Sequence, residues 1–132
     1  MSIISRLKYK LWTVNNVLFA EFFNSWDERV ALDYSNDLKR IVGSFNGAYW
    51  AHIVLMDKWE LGTPEIEPII KRLELWCLRN KVQNTAVVFS ADALKHYQLK
   101  KMVRGSDTNM YSEFADIHSA CEWIKSKGFS PE

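Results

Sequence analysis

Tyr49-Trp50-Ala51-His52-Ile53-Val54-Leu55-Met56 is an almost wholly apolar run with neither glycine nor proline in it. It is too short to span a membrane and lacks the alternation of a half-buried strand, so it suits a central strand covered on both faces. Such a strand needs helices around it, and the flanking sequence supplies them. Upstream, Ser25-Trp26-Asp27-Glu28 reads as a capping box, Ser and Glu satisfying free backbone N–H groups. The segment behind it carries Val30, Tyr34, Leu38 and Ile41 on one helical stripe and ends near Gly43. Downstream, Thr63-Pro64 reads as an N-cap followed by proline in the first helical position. Ile66, Ile69, Ile70, Leu73, Trp76 and Cys77 then share one face. Pro68 lacks the N–H that would bond back one turn, so the regular helix is also compatible with a start at Pro68.

Further out, residues 6–14 alternate apolar and polar side chains, with Leu7, Tyr9 and Leu11 against Arg6, Lys8 and Lys10. Asn15-Asn16 suits a two-residue turn, because asparagine tolerates positive φ. Val17 to Phe23 returns as a second strand, giving an opening hairpin. On the other side, Thr85 to Phe89 reads as a short buried strand. A helix is expected over roughly residues 92–104, with Leu94, Leu99, Met102 and Val103 inward. Tyr111 to Phe114 suits an edge strand. A last helix from about Asp116 to Lys127 turns Ile117, Ala120, Cys121 and Ile124 inward and stops at Gly128. The expected architecture is α/β: one domain over residues 1–132, a mixed sheet of five strands with four helices packed on it.

The 132 residues are 48% hydrophobic and 25% charged, an ordinary globular balance that argues against disorder. Aromatic residues reach 14%, with six Trp, and most of that area should be buried. A net charge of +1 gives no field to recruit nucleic acid or anionic lipid, so no nucleic-acid partner is expected. No apolar run approaches a membrane span, and an integral membrane protein is not expected. The first ten residues hold no apolar stretch long enough for a signal peptide. Cytoplasmic residence follows as the expectation, with Cys77 and Cys121 as reduced, buried, unpaired thiols.

Catalytic patterns are missing. There is no nucleophile elbow, phosphate-cradling glycine loop or paired-carboxylate motif. Ser90 follows a strand but lacks the flanking glycines of a nucleophile turn. His52, His96 and His118 lie on different elements without metal-like spacing, and the cysteines lack Cys-x-x-Cys spacing. No enzyme activity, metal or cofactor is expected. Lys95, His96, Lys100, Lys101 and Arg104 form a short basic stretch that reads more simply as a solvated helix face than as an anion contact.

Trp50, Asp57, Trp59 and Thr63-Pro64-Glu65, following a hairpin and one helix, resemble the SpoIIAA-like (STAS-like) bacterial proteins. The resemblance implies a mixed, centrally parallel sheet with helices against it. It also implies a regulatory role: such proteins act as anti-sigma-factor antagonists that bind a partner protein. Their switch is phosphorylation of a serine in an Asp-Ser pair, where the helix after the central strand begins. Here Asp57 is followed by Lys58-Trp59-Glu60-Leu61-Gly62-Thr63, without that pair. Thr63 is the nearest hydroxyl and the candidate phosphoacceptor. Related STAS and CRAL-TRIO-like folds bind lipids or small ligands.

Asp57, Lys58, Trp59, Glu60 and Thr63 are therefore the candidate binding residues, at the carboxyl edge of the central strand where open α/β sheets favour ligands. The plain structural account makes Asp57 a backbone-bonding residue, Trp59 a lid on the core and Thr63 only a cap. Two functions follow. One is a non-catalytic interaction module that docks a partner protein, or a second copy of the chain, on residues 57–65 and the next helix. It calls for an exposed Trp59, the side toward which the sequence leans. The other is a small-molecule or lipid-binding domain, which calls for an apolar cavity between sheet and helices.

Overall fold

A computed structural model describes residues 3–89, 98–100, 102 and 110–132. Strands β1 (Ile3–Ser5), β2 (Tyr9–Val14) and β3 (Val17–Phe22) form an antiparallel meander. Its second turn is Asn15-Asn16, with Asn15 at φ 52°. Strand β4 (Asn24–Trp26) leads into helix α1 (Glu28–Gly43), which returns the chain to β5 (Trp50–Leu55). Strand β6 (Trp59–Gly62) precedes helix α2 (Ile66–Arg79), followed by β7 (Val82–Val88), β8 (Tyr111–Phe114) and helix α3 (Ile117–Ser126). The main sheet has six strands in the order β1-β2-β3-β5-β7-β8, and β4 pairs with β6 in a separate two-stranded sheet. From β3 onward the main sheet is parallel. The mixed α/β architecture is thus the expected one, with β1 added to the five strands read from the sequence.

β5 sits between β3 and β7, as its apolar run requires. Alternation along it feeds two cores. Trp50 and Val54 join the larger cluster under α1 and α2, with Leu38, Ile66 and Leu73. Ala51 and Ile53 join a smaller one with Val17, Phe19, Ala120 and Ile124 under α3. Trp26, Trp50 and Trp59 are all fully enclosed.

Several local expectations are corrected. Leu7 is 85% exposed, because Arg6 N–H bonds Tyr9 C=O in a turn and the strand starts only at Tyr9. The cap of α1 is Asp27, whose carboxylate accepts from Val30 N–H at 3.0 Å. Ser25 instead lies in β4, where the buried Trp26 indole donates to Lys8 C=O and holds the chain extended. Ile117 opens α3 exposed and Cys121 is only half-buried, since Ala120 and Ile124 carry that helix's contact with the sheet. Both cysteines are free. Pro68 fits inside the first turn of a helix that starts at Ile66, where its missing N–H has no partner to lose. Leu99 and Met102 are buried; Leu94, Val103, Ser90 and the basic residues Lys95, His96, Lys101 and Arg104 lie outside the described residues. No helix among the described residues is long and apolar enough to cross a membrane.

Candidate functional site

The segment after β5 divides its side chains between surface and core. Asp57 and Lys58 form an exposed turn closed by Trp59 N–H to Met56 C=O. Lys58 C=O accepts from Asn24 N–H, and its ammonium approaches Glu21 at 3.8 Å. Glu60 and Thr63 also face water. Trp59 does not. It is fully buried, edge-on to Phe22, and its indole N–H has no partner among the described residues. Residues 59–62 form a strand against β4, so pleating sends Trp59 inward while its neighbour Glu60 points out.

The end of β6 is held tightly. Leu61 adopts φ 152°, a conformation that side chains avoid. Gly62 N–H donates to the Gln98 side-chain carbonyl at 2.9 Å, and the Gln98 amide donates back to Gly62 C=O at 2.7 Å. Thr63 does not cap α2. Its backbone C=O accepts from Ile66 N–H, and the capping position falls on Glu65, which makes no side-chain cap bond. The Thr63 hydroxyl turns to Glu65, whose carboxyl is held below its usual range by its own backbone N–H and by that hydroxyl. The structure therefore gathers Asp57, Lys58, Glu60 and Thr63 on one exposed edge and removes Trp59 from it.

On the inner side, α1, α2, the sheet and the segment with Leu99 and Met102 line a half-open cavity of about 570 Å³. Phe22, Leu38, Val54, Leu73, Val87 and Met102 supply apolar wall; His52, Thr85, Glu74 and Tyr111 supply the polar points. Burial lowers the His52 pKa to about 4, so the ring is neutral at neutral pH, and its sealed Nε2 has no hydrogen-bond partner among the described residues. Burial, and then Glu74, push the Cys77 thiol up to about 12. Burial followed by Glu113 raises the Tyr111 phenol. Cys77 and Tyr111 are thus held in their protonated forms, the opposite of an activated nucleophile. Among the described residues, no three His, Cys, Asp or Glu side chains gather as a metal site.

This cavity is what the sequence reading missed. Periodicity marks Leu73 and Cys77 as inward but cannot tell a filled interior from a hollow one. The one available signal was His52, the single basic side chain in the apolar central run.

The architecture is that of a SpoIIAA-like, STAS-type fold. An uncharacterised protein of the DUF3478 family from Shewanella loihica PV-4, itself of SpoIIAA-like fold, matches over 93% of this chain and 99% of its own, with a TM-score of 0.66 at 9% identity. The anti-sigma factor antagonist SpoIIAA, in its unphosphorylated form, matches over 92% of this chain and 99% of its own, with a TM-score of 0.59 at 10% identity. No family model and no curated protein matches the sequence.

Proposed function

We propose that the chain is a single, cytoplasmic, non-catalytic binding domain that holds a small apolar molecule between its sheet and helices α1 and α2. The observation that carries this is the cavity, about 570 Å³ with mostly apolar walls, within the usual size of ligand sites. The buried Trp59 supports it too, because the aromatic anchor that an exposed docking loop would use faces the core. Native mass spectrometry of freshly purified chain tests the reading. The expected spectrum shows an added small mass that disappears in Thr85→Phe, which fills the cavity floor. Apo mass alone, with no uptake of any added aromatic or aliphatic compound, would overturn it.

A second reading has its own support. Asp57, Lys58, Glu60 and Thr63 are exposed together before α2, and the fold is shared with an anti-sigma factor antagonist. On this reading the edge docks a partner protein or a second copy of the chain, with Thr63 as phosphoacceptor in a regulatory switch. Affinity capture from the host with the parent and with Lys58→Glu/Glu60→Lys decides it. Loss of one defined partner in the variant is expected, and identical capture by both would remove the edge as the docking site.

A further inference from the structure

β1 lies at one edge of the main sheet, with β2 on its inner side and no described strand on its outer side. Arg6 N–H donates to Tyr9 C=O, so the Arg6 backbone faces β2. Backbone groups alternate in direction along an antiparallel strand. Ile4, opposite Leu11, therefore also faces β2, while the N–H and C=O of Ile3 and Ser5 point away from the sheet. An edge of this kind accepts a further strand unless a charge, a proline or a bulge blocks it. Ile3-Ile4-Ser5 carries none of the three. The charge that follows it in the chain, Arg6, is held by Asp37 at 3.0 Å. Lys10, opposite Ser5, turns over the Trp12 ring. Apolar surface flanks the same edge: Ile3 is 54% exposed, and Leu7, just past the end of the strand, is the most exposed large apolar residue described.

We propose that β1 pairs antiparallel with β1 of a second copy of the chain, across a two-fold axis at Ile4, so that two main sheets become one. A two-fold axis makes one strand edge its own complement and closes the assembly at two chains. Ile3 of each copy then stands opposite Ser5 of the other. Those are the residues whose backbone groups point outward, so every outward N–H and C=O of the strand gains a partner. Ile4 meets its own counterpart at the axis, beside the larger core cluster that its side chain already touches. No like charges come face to face within the paired strands, which self-pairing of a charged edge could not avoid. A strand from another protein would have to bring its own match for this uncharged, apolar edge, whereas the edge already matches itself. The strand is short, so the dimer is weak and forms reversibly with concentration.

Sedimentation equilibrium of the whole chain over a wide concentration range tests this. The expected mass rises reversibly from one chain to two. Ser5→Pro removes an outward N–H without touching the ladder to β2, and should weaken dimerisation by at least about tenfold. Lys58→Glu/Glu60→Lys should leave dimerisation unchanged, which separates this edge from docking at residues 57–65. Should Ser5→Pro fail to fold, amide hydrogen exchange in the parent decides the matter. The Ile3 and Ser5 amides should exchange slowly in concentrated protein and fast after dilution, while those of Ile4 and Arg6 stay protected in both. A mass of one chain at every concentration, growth beyond two chains, or a dimer undiminished in Ser5→Pro overturns the pairing. So do Ile3 and Ser5 amides that exchange alike at both concentrations.

Discussion

A Cβ on Gly62 would run into the side chain of Ile66 and come within 3.4 Å of the Trp26 carbonyl oxygen, while Gln98 holds both backbone groups of the glycine. Gly62→Ala is expected to lose about 1–3 kcal/mol by overpacking. Urea midpoints measure this, and an unchanged midpoint would mean that Ile66 gives way freely. His52 makes a pH-dependent contribution. Its folded pKa lies near 4, below the roughly 6.5 of the unfolded chain, so the unfolded state takes up the proton first on acidification. Stability is therefore full above about pH 6.5 and declines by about 3 kcal/mol as pH falls toward 4. Asp37 acts lower. Burial alone would raise its pKa, but hydrogen bonds from Arg6 and Tyr9 hold it down, so its share is lost as pH falls through that lowered value. Thermal melts from pH 7.5 to 4 should show the His52 decline in the parent and a flatter profile in His52→Leu. A parent whose stability stays constant across that range would contradict the buried, neutral ring.

Helix starts separate what local pattern reveals from what it hides. Asp27→Ala should cost about 1 kcal/mol, because its carboxylate holds Val30 N–H. Thr63→Ala should stay within about 0.5 kcal/mol, because its hydroxyl caps nothing. Paired denaturation curves check both, and a reversed order would restore Thr63 as the cap. The strands and helices with long apolar periods, the hairpin at Asn15 and the stop at Gly128 could be read from spacing because their signals are local. The capping box at Ser25 misled because Trp26 is spent on the core and on Lys8, a contact 18 residues away in sequence. β6 was hidden for the same reason: it exists by pairing with β4 and by the Gln98 clamp, and nothing within residues 59–62 announces either.

At the scale of the molecule, sheet faces and layers follow from the alternation along β5, but the cavity belongs to no element. It is the space left where α1, α2, Leu99, Met102 and four neighbouring strands fail to fill one another, a sum of side-chain volumes rather than a pattern. The sheet also separates two thiols. Cys77 lies on α2 beside the cavity, buried and with its pKa pushed up to about 12; Cys121 lies half-buried on α3 across the sheet. A thiol reagent attacks the thiolate and needs access to it, so Cys77 can be labelled only while α2 stands away from the sheet. Modification kinetics should then resolve a fast phase from Cys121 and a slow one from Cys77. The rate of that phase measures how often the interior breathes. The chain in this sense carries a clock on each side of its sheet, one ticking with the solvent and the other with the opening of its own core.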